Sequence, residues 1–224
     1  KDIRFFDKYF LKGIDWYKIH FSFRTKDENQ QSNQSLTCDA TERYLEYPHA
    51  PTRIKKYTPN AKFIILLRNP VFRSYSHYNM IVDHGDEKLS FEDAIDQESR
   101  RIENEIQKMN HDENYYSDDY FRFSYLDRGI YVDKIKHWMS VFPKEQFLII
   151  QTEEFQKDTS KVYNQVLEFL GLPKWELKEY AQFKKRNYKS PKMNPETRDK
   201  LIEYFKPHNQ LLYDFLGRKF DWDK

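Results

Sequence analysis

Arg68 and Ser76 are the residues of this sequence whose types and spacing point first to chemistry. Arg68 follows the apolar run Phe63-Ile64-Ile65-Leu66-Leu67, and the chain continues Asn69-Pro70-Val71-Phe72-Arg73-Ser74-Tyr75-Ser76-His77-Tyr78. A guanidinium fork and a hydroxyl are good donors to a phosphate group. Asn69 can cap a helix and Pro70 can occupy its first turn. A strand would then pass straight into a helix N-terminus, whose amides and positive dipole end also suit a phosphate. Arg73 and Ser76 share one face of that helix. On spacing alone, an ordinary strand–loop–helix with surface arginines is the slightly better reading. A second basic group, Lys184-Lys185-Arg186-Asn187-Tyr188-Lys189, reads by itself as a solvated charge run. His84 and His111 have no partners at metal-ligand spacing, so no metal is expected.

These residues need a scaffold, and the hydrophobic pattern outlines one. Phe63 to Leu67 reads as a strand buried on both faces, the kind found inside a parallel sheet. Arg68 would then stand at the C-terminal end of the strand, where ligands bind in open α/β sheets. Phe147-Leu148-Ile149-Ile150 reads as a second buried strand, running out at Glu153 and Glu154. Helices are expected over Ala50–Tyr57, from Pro70, from the Ser90 cap, after Tyr131, from near Ser160 and from the Asn194-Pro195 cap. In the Ser90 helix, Phe91, Ile95, Ile102, Ile106 and Met109 trace one apolar stripe. Tyr9, Phe10, Ile14, Tyr17 and Phe21 suggest another amphipathic helix near the start, and residues 26–35 a polar surface loop. Alternating strands and helices imply an α/β, three-layer domain over 1–224, a parallel central sheet flanked by helices.

Composition narrows the function classes. With 38 basic and 36 acidic residues in 224, the net charge is +2, and no global field points to nucleic acid. Aromatics reach 17%, so the core should be built largely from Phe, Tyr and Trp. The single Cys38 excludes an internal disulfide framework and fits a reducing, cytoplasmic compartment. No apolar run approaches membrane-spanning length, and no signal peptide opens the sequence.

The text Arg-Asn-Pro-x-x-Arg-x-Tyr-Ser-x-Tyr after an apolar strand resembles the 3′-phosphate-binding segment of sulfotransferases that use 3′-phosphoadenylyl sulfate (PAPS). The likeness is to the heparan sulfate N- and O-sulfotransferase group and its bacterial relatives. The resemblance implies a P-loop-NTPase-like fold, with Arg68 and Ser76 on the 3′-phosphate and Lys184, Lys185, Arg186 and Lys189 closing over the nucleotide. Lys1-Asp2-Ile3-Arg4-Phe5-Phe6-Asp7, with Lys12-Gly13-Ile14-Asp15-Trp16-Tyr17 after it, is similar to the family's Glu-x-x-Phe-Phe segment and its sequel. Asp2 holds the position of the family's catalytic Glu, Arg4 that of a His, and Asp7 is retained. The segment Leu36 to Tyr44 resembles one that ends a short strand beside the active site. Asp39 there is a second candidate base or a turn residue. Lys1, Arg4, Asp7 and Tyr131 fall where the acceptor substrate is held.

The implied reaction moves a sulfuryl group from PAPS to a hydroxyl or amine, leaving PAP, with no metal. The resemblance favours a glycan as acceptor and leaves small molecules and lipids open, and a eukaryotic source would place the protein in the Golgi lumen. The family's first strand and its Lys-x-Gly-Thr-Thr loop precede the Lys1 segment, and no Gly-Thr-Thr occurs here. The 224 residues are therefore expected to lack the first strand–loop–helix and to be inactive alone. The alternative is a non-catalytic nucleotide-binding or interaction module derived from the same fold.

Overall fold

The computed structural model describes residues 2–21, 36–180 and 192–223. From the N-terminus the chain makes a tight turn at Phe10–Lys12 and the short helix α1, Ile14–Lys18. Helix α2, Ala50–Tyr57, feeds strand β1, Phe63–Leu67, and α3 follows at Pro70–His84. Helices α4 (Phe91–Asp96), α5 (Glu98–His111), α6 (Asp118–Phe123) and α7 (Tyr131–Val141) lead to β2, Phe147–Gln151. Helices α8 (Thr152–Lys157), α9 (Thr159–Leu170) and α10 (Pro195–Leu216) complete the order.

The two strands are parallel, with Phe63 opposite Phe147 and Leu67 opposite Gln151, and helices flank them as expected for an α/β fold. Ile65, Leu67 and Ile149 pack against Tyr131, Val132 and Ile135 of α7 and Leu212 and Tyr213 of α10. At the head of the sheet, Phe63 meets the rings of Trp138, Phe142 and Phe147. The expectation of burial on both faces fails for β1. Its burial alternates, leaving Ile64 37% and Leu66 53% exposed, because no described element covers that face there.

Two expected helices are broken. Gly13, at a φ of 80° that suits glycine, separates the Phe10–Lys12 turn from α1. Phe10, Ile14, Tyr17 and Phe21 nevertheless share one aromatic core with Phe5, Phe6, Tyr44 and Tyr47. The Ser90 helix divides at Gln97 into α4 and α5. Phe91 and Ala94 join a core with Val71, Tyr78 and Phe205, whereas Ile102 and Met109 join the core around Phe5. The division places Glu98 inward, where it accepts from the amides of Leu126 and Asp127 at 2.7 and 2.8 Å. Among the described residues, no helix is long and apolar enough to cross a membrane.

Candidate functional site

The β1–α3 junction forms as its sequence suggests. The Asn69 side chain caps α3 by accepting from the Val71 amide at 3.0 Å, and Pro70 fills the first turn. Arg68 leaves the end of β1 half-buried, and among the described residues its guanidinium has no ion pair or hydrogen bond. Its carbonyl accepts from the Tyr131 hydroxyl at 2.8 Å. Tyr131 itself is 5% exposed, so it meets the junction from behind, and burial raises its phenol to about 12. Ser76 lies half-buried on α3.

The amides at the start of α3 are less available than the sequence implied. The Asn69 amide donates to Glu153 at 2.9 Å, Pro70 has no N–H, and the Val71 amide is taken by the cap. The amides of Asn69 and Val71 are thus already engaged within the fold. Arg73 does not serve the junction: its guanidinium turns inward onto the carbonyls of Ser124 and Tyr125. Below it lies His77, 6% exposed, whose ring is held well below the ordinary His range by burial and then by Arg73 and Arg128.

The second centre is the segment around Asp2. Phe5 and Phe6 are buried and anchor it, with Phe5 stacked on Tyr17 at 4.9 Å. The amides of Ile3 and Arg4 both donate to Thr41 Oγ1 at 3.1 Å, and the Phe6 amide donates to the Tyr44 hydroxyl at 3.3 Å. Both hydroxyls then donate to Asp39, at 2.7 Å from Thr41 and 2.8 Å from Tyr44. Asp39 thus lies beside the Asp2 segment, but the described residues 36–38 that lead into it form no strand. It occupies an irregular stretch before the turn at Glu42–Leu45. Asp2 is exposed. Arg4 has a φ of 60°, uncommon for a side chain of this size, and pairs with the buried Asp7 at 3.1 Å while lying over the Tyr116 ring. Burial pushes the Asp7 carboxyl up, against the pull of Arg4, and one of its oxygens has no partner among the described residues.

Residues not singled out from the sequence organise both centres. Arg53 on α2 is buried, donates to the carbonyls of Phe6, Asp7 and Glu113, and lies 4.0 Å from the Phe10 ring centre. Its position was detectable, because Ala50, Arg53, Ile54 and Tyr57 fall at the spacing of a core-facing stripe. Arg128 pairs with Glu46 at 3.2 Å and so ties the Asp39 region to the turn that precedes Tyr131. Lys1, Lys184, Lys185, Arg186 and Lys189 lie outside the described residues. No cluster able to hold a metal occurs among the described residues.

The site thus combines a strand-end arginine beside a capped helix with a buttressed acidic N-terminal segment. The family model for the sulfotransferase domain matches residues 3–220, and the chain belongs to that family. It is 28% identical to the membrane-associated sulfotransferase kil1 of Dictyostelium discoideum, over 99% of this chain and 60% of that protein. It is 24% identical to human heparan sulfate glucosamine 3-O-sulfotransferase 3B1, over 98% of this chain and 56% of that protein. The chain therefore spans less than two thirds of these relatives' length. A sulfotransferase crystal structure from Alicyclobacillus acidocaldarius superposes with a TM-score of 0.64 at 28% identity, covering 83% of this chain and 67% of that one.

Proposed function

We propose that this sulfotransferase-family chain uses PAPS as donor and sulfates a hydroxyl or amine of an acceptor, with a glycan favoured by the 3-O-sulfotransferase relative. The observation that supports the donor is Arg68. It is a guanidinium at the end of a parallel strand, unpaired among the described residues, on a backbone held from α7 and α8. Such a group fits a phosphate dianion better than it fits a structural ion pair.

In this reading Arg68 and Ser76 hold the 3′-phosphate. The lysines and arginine at 184, 185, 186 and 189 close over the nucleotide. Bound PAPS supplies the activated sulfuryl group and its leaving phosphate. Asp2 accepts the acceptor's proton, and the Arg4–Asp7 pair orients the acceptor next to it. Tyr131 acts through the Arg68 carbonyl rather than on the acceptor directly. Transfer of this kind rests on alignment and on charge stabilisation at the leaving group more than on covalent participation by the protein.

Titration of adenosine 3′,5′-bisphosphate and of AMP tests the donor site. Wild type should prefer the bisphosphate, and Arg68→Ala should reduce that preference on the order of 30- to 150-fold, the equivalent of about 2–3 kcal/mol. Equal binding of the two nucleotides to wild type would reject PAPS as donor.

A further inference from the structure

Glu153 has no part in the reaction outlined above, yet it touches the junction that carries Arg68. One carboxylate oxygen accepts from the Asn69 amide at 2.9 Å, and the other from the Trp222 indole N–H at 3.4 Å. Asn69 also donates from its side chain to the Trp222 carbonyl at 3.2 Å and is buried. On the other side, Tyr131 donates to the Arg68 carbonyl. Both polar groups of the single peptide unit between Arg68 and Asn69 are thus engaged, its C=O by α7 and its N–H by α8. Rotation of that unit would change the direction in which the Arg68 side chain leaves the strand.

We propose that Glu153 is a positioning residue for Arg68: it fixes the Arg68–Asn69 peptide plane so that the guanidinium is ordered before an anion arrives. The proposal rests on the reading of Arg68 as the 3′-phosphate ligand. A carboxylate at this place is otherwise unfavourable, since it adds negative charge beside a site for a phosphate. Its two hydrogen bonds, to segments that the Asn69–Trp222 bond also joins, account for it, and a preorganised cation binds without the entropy loss of ordering a long side chain. Asp at 153 would keep the charge but fall one methylene short of the Asn69 amide. Gln would lose the charge and keep an acceptor oxygen.

The test uses the whole chain with wild type, Glu153→Ala, Glu153→Asp, Glu153→Gln and Arg68→Ala. Each is titrated with adenosine 3′,5′-bisphosphate and AMP, melting temperatures are recorded, and exchange of the Asn69 amide is followed by NMR. Glu153→Ala and Glu153→Asp should each lose about tenfold of the bisphosphate preference and exchange Asn69 faster, whereas Glu153→Gln should keep most of the preference. A residue serving the fold alone would lower the melting temperature and leave the ratio of the two affinities unchanged. If Glu153→Ala does not fold, the Asp and Gln variants decide. A wild-type ratio in Glu153→Asp, alongside a lost ratio in Arg68→Ala, overturns the positioning role and spares the nucleotide reading. An unchanged ratio in Arg68→Ala overturns the nucleotide reading and with it the role of Glu153 in binding. Unaltered Asn69 exchange in Glu153→Ala would then remove the contact as well.

Discussion

Asp39 accepts from Thr41 and Tyr44, and each of those hydroxyls accepts from the backbone between Ile3 and Phe6. These bonds commit both oxygens of Asp39, whereas among the described residues the exposed Asp2 side chain makes no hydrogen bond or ion pair. The two aspartates should therefore respond differently to substitution. In turnover assays of the full-length protein, Asp2→Asn should lower the rate by roughly 10²–10⁴ and leave nucleotide affinity almost unchanged. Asp39→Ala should instead cost stability, on the order of 2–3 kcal/mol in urea unfolding, because it removes a charged acceptor from two part-buried hydroxyls. Normal turnover in Asp2→Asn together with an inactive but stable Asp39→Asn would transfer the base to Asp39.

At the scale of elements, β1 carries the sharpest contrast between neighbours. Leu67 is 1% exposed and lies in the α7–α10 core, whereas Leu66 faces outward at 53%. Leu67→Ala should cost about 2–5 kcal/mol and Leu66→Thr less than about 1 kcal/mol, as read from urea midpoints at constant slope. Comparable losses at both positions would mean that the outer face is covered in solution. The strand and the turn into α3 were legible because five apolar residues, a capping Asn and a Pro stand side by side, each signalling the same local geometry. The breaks at Gly13 and Gln97 were not, since the apolar residues on either side keep a helical rhythm and their assignment to separate cores depends on distant partners. Arg53 was legible in principle from its place in an apolar stripe. Glu153 was not, because its partners lie 84 and 69 residues away and leave no local pattern.

Over the whole molecule, two buried glutamates should shape the response to pH in opposite directions. Burial alone would raise the Glu87 carboxyl, but Arg101, the Leu89 amide, the Tyr125 hydroxyl and the Lys88 amide bring it down to about 2 from an ordinary 4.5. Its contribution is complete above pH 4.5 and is lost as pH falls toward 2. Burial raises Glu98 from 4.5 to about 7, against the amides of Asp127 and Leu126. Its contribution is complete below pH 4.5 and is lost as pH rises through 7. Melting temperatures at about pH 3, 5 and 8 should therefore be highest at the middle value as far as these two groups decide. Glu98→Gln should flatten the decline on the alkaline side, and Glu87→Gln the decline on the acid side. A decline from pH 5 to 8 as steep in Glu98→Gln as in wild type would remove Glu98 as its cause.

The bond from Asn69 to Trp222 spans 153 positions of the chain. During synthesis at about 5–20 residues per second, roughly 8–30 s separate the two residues as they are added. β1, α3 and their caps can form in that interval, but the grip on the Asn69 side chain cannot. A nascent chain halted between residues 153 and 222 would thus have the Arg68–Asn69 peptide held by Tyr131 and Glu153 while the Asn69 side chain still lacks its Trp222 partner. Nucleotide binding should begin in a ribosome-bound series only after Glu153 has emerged, and become complete once Trp222 has joined the junction.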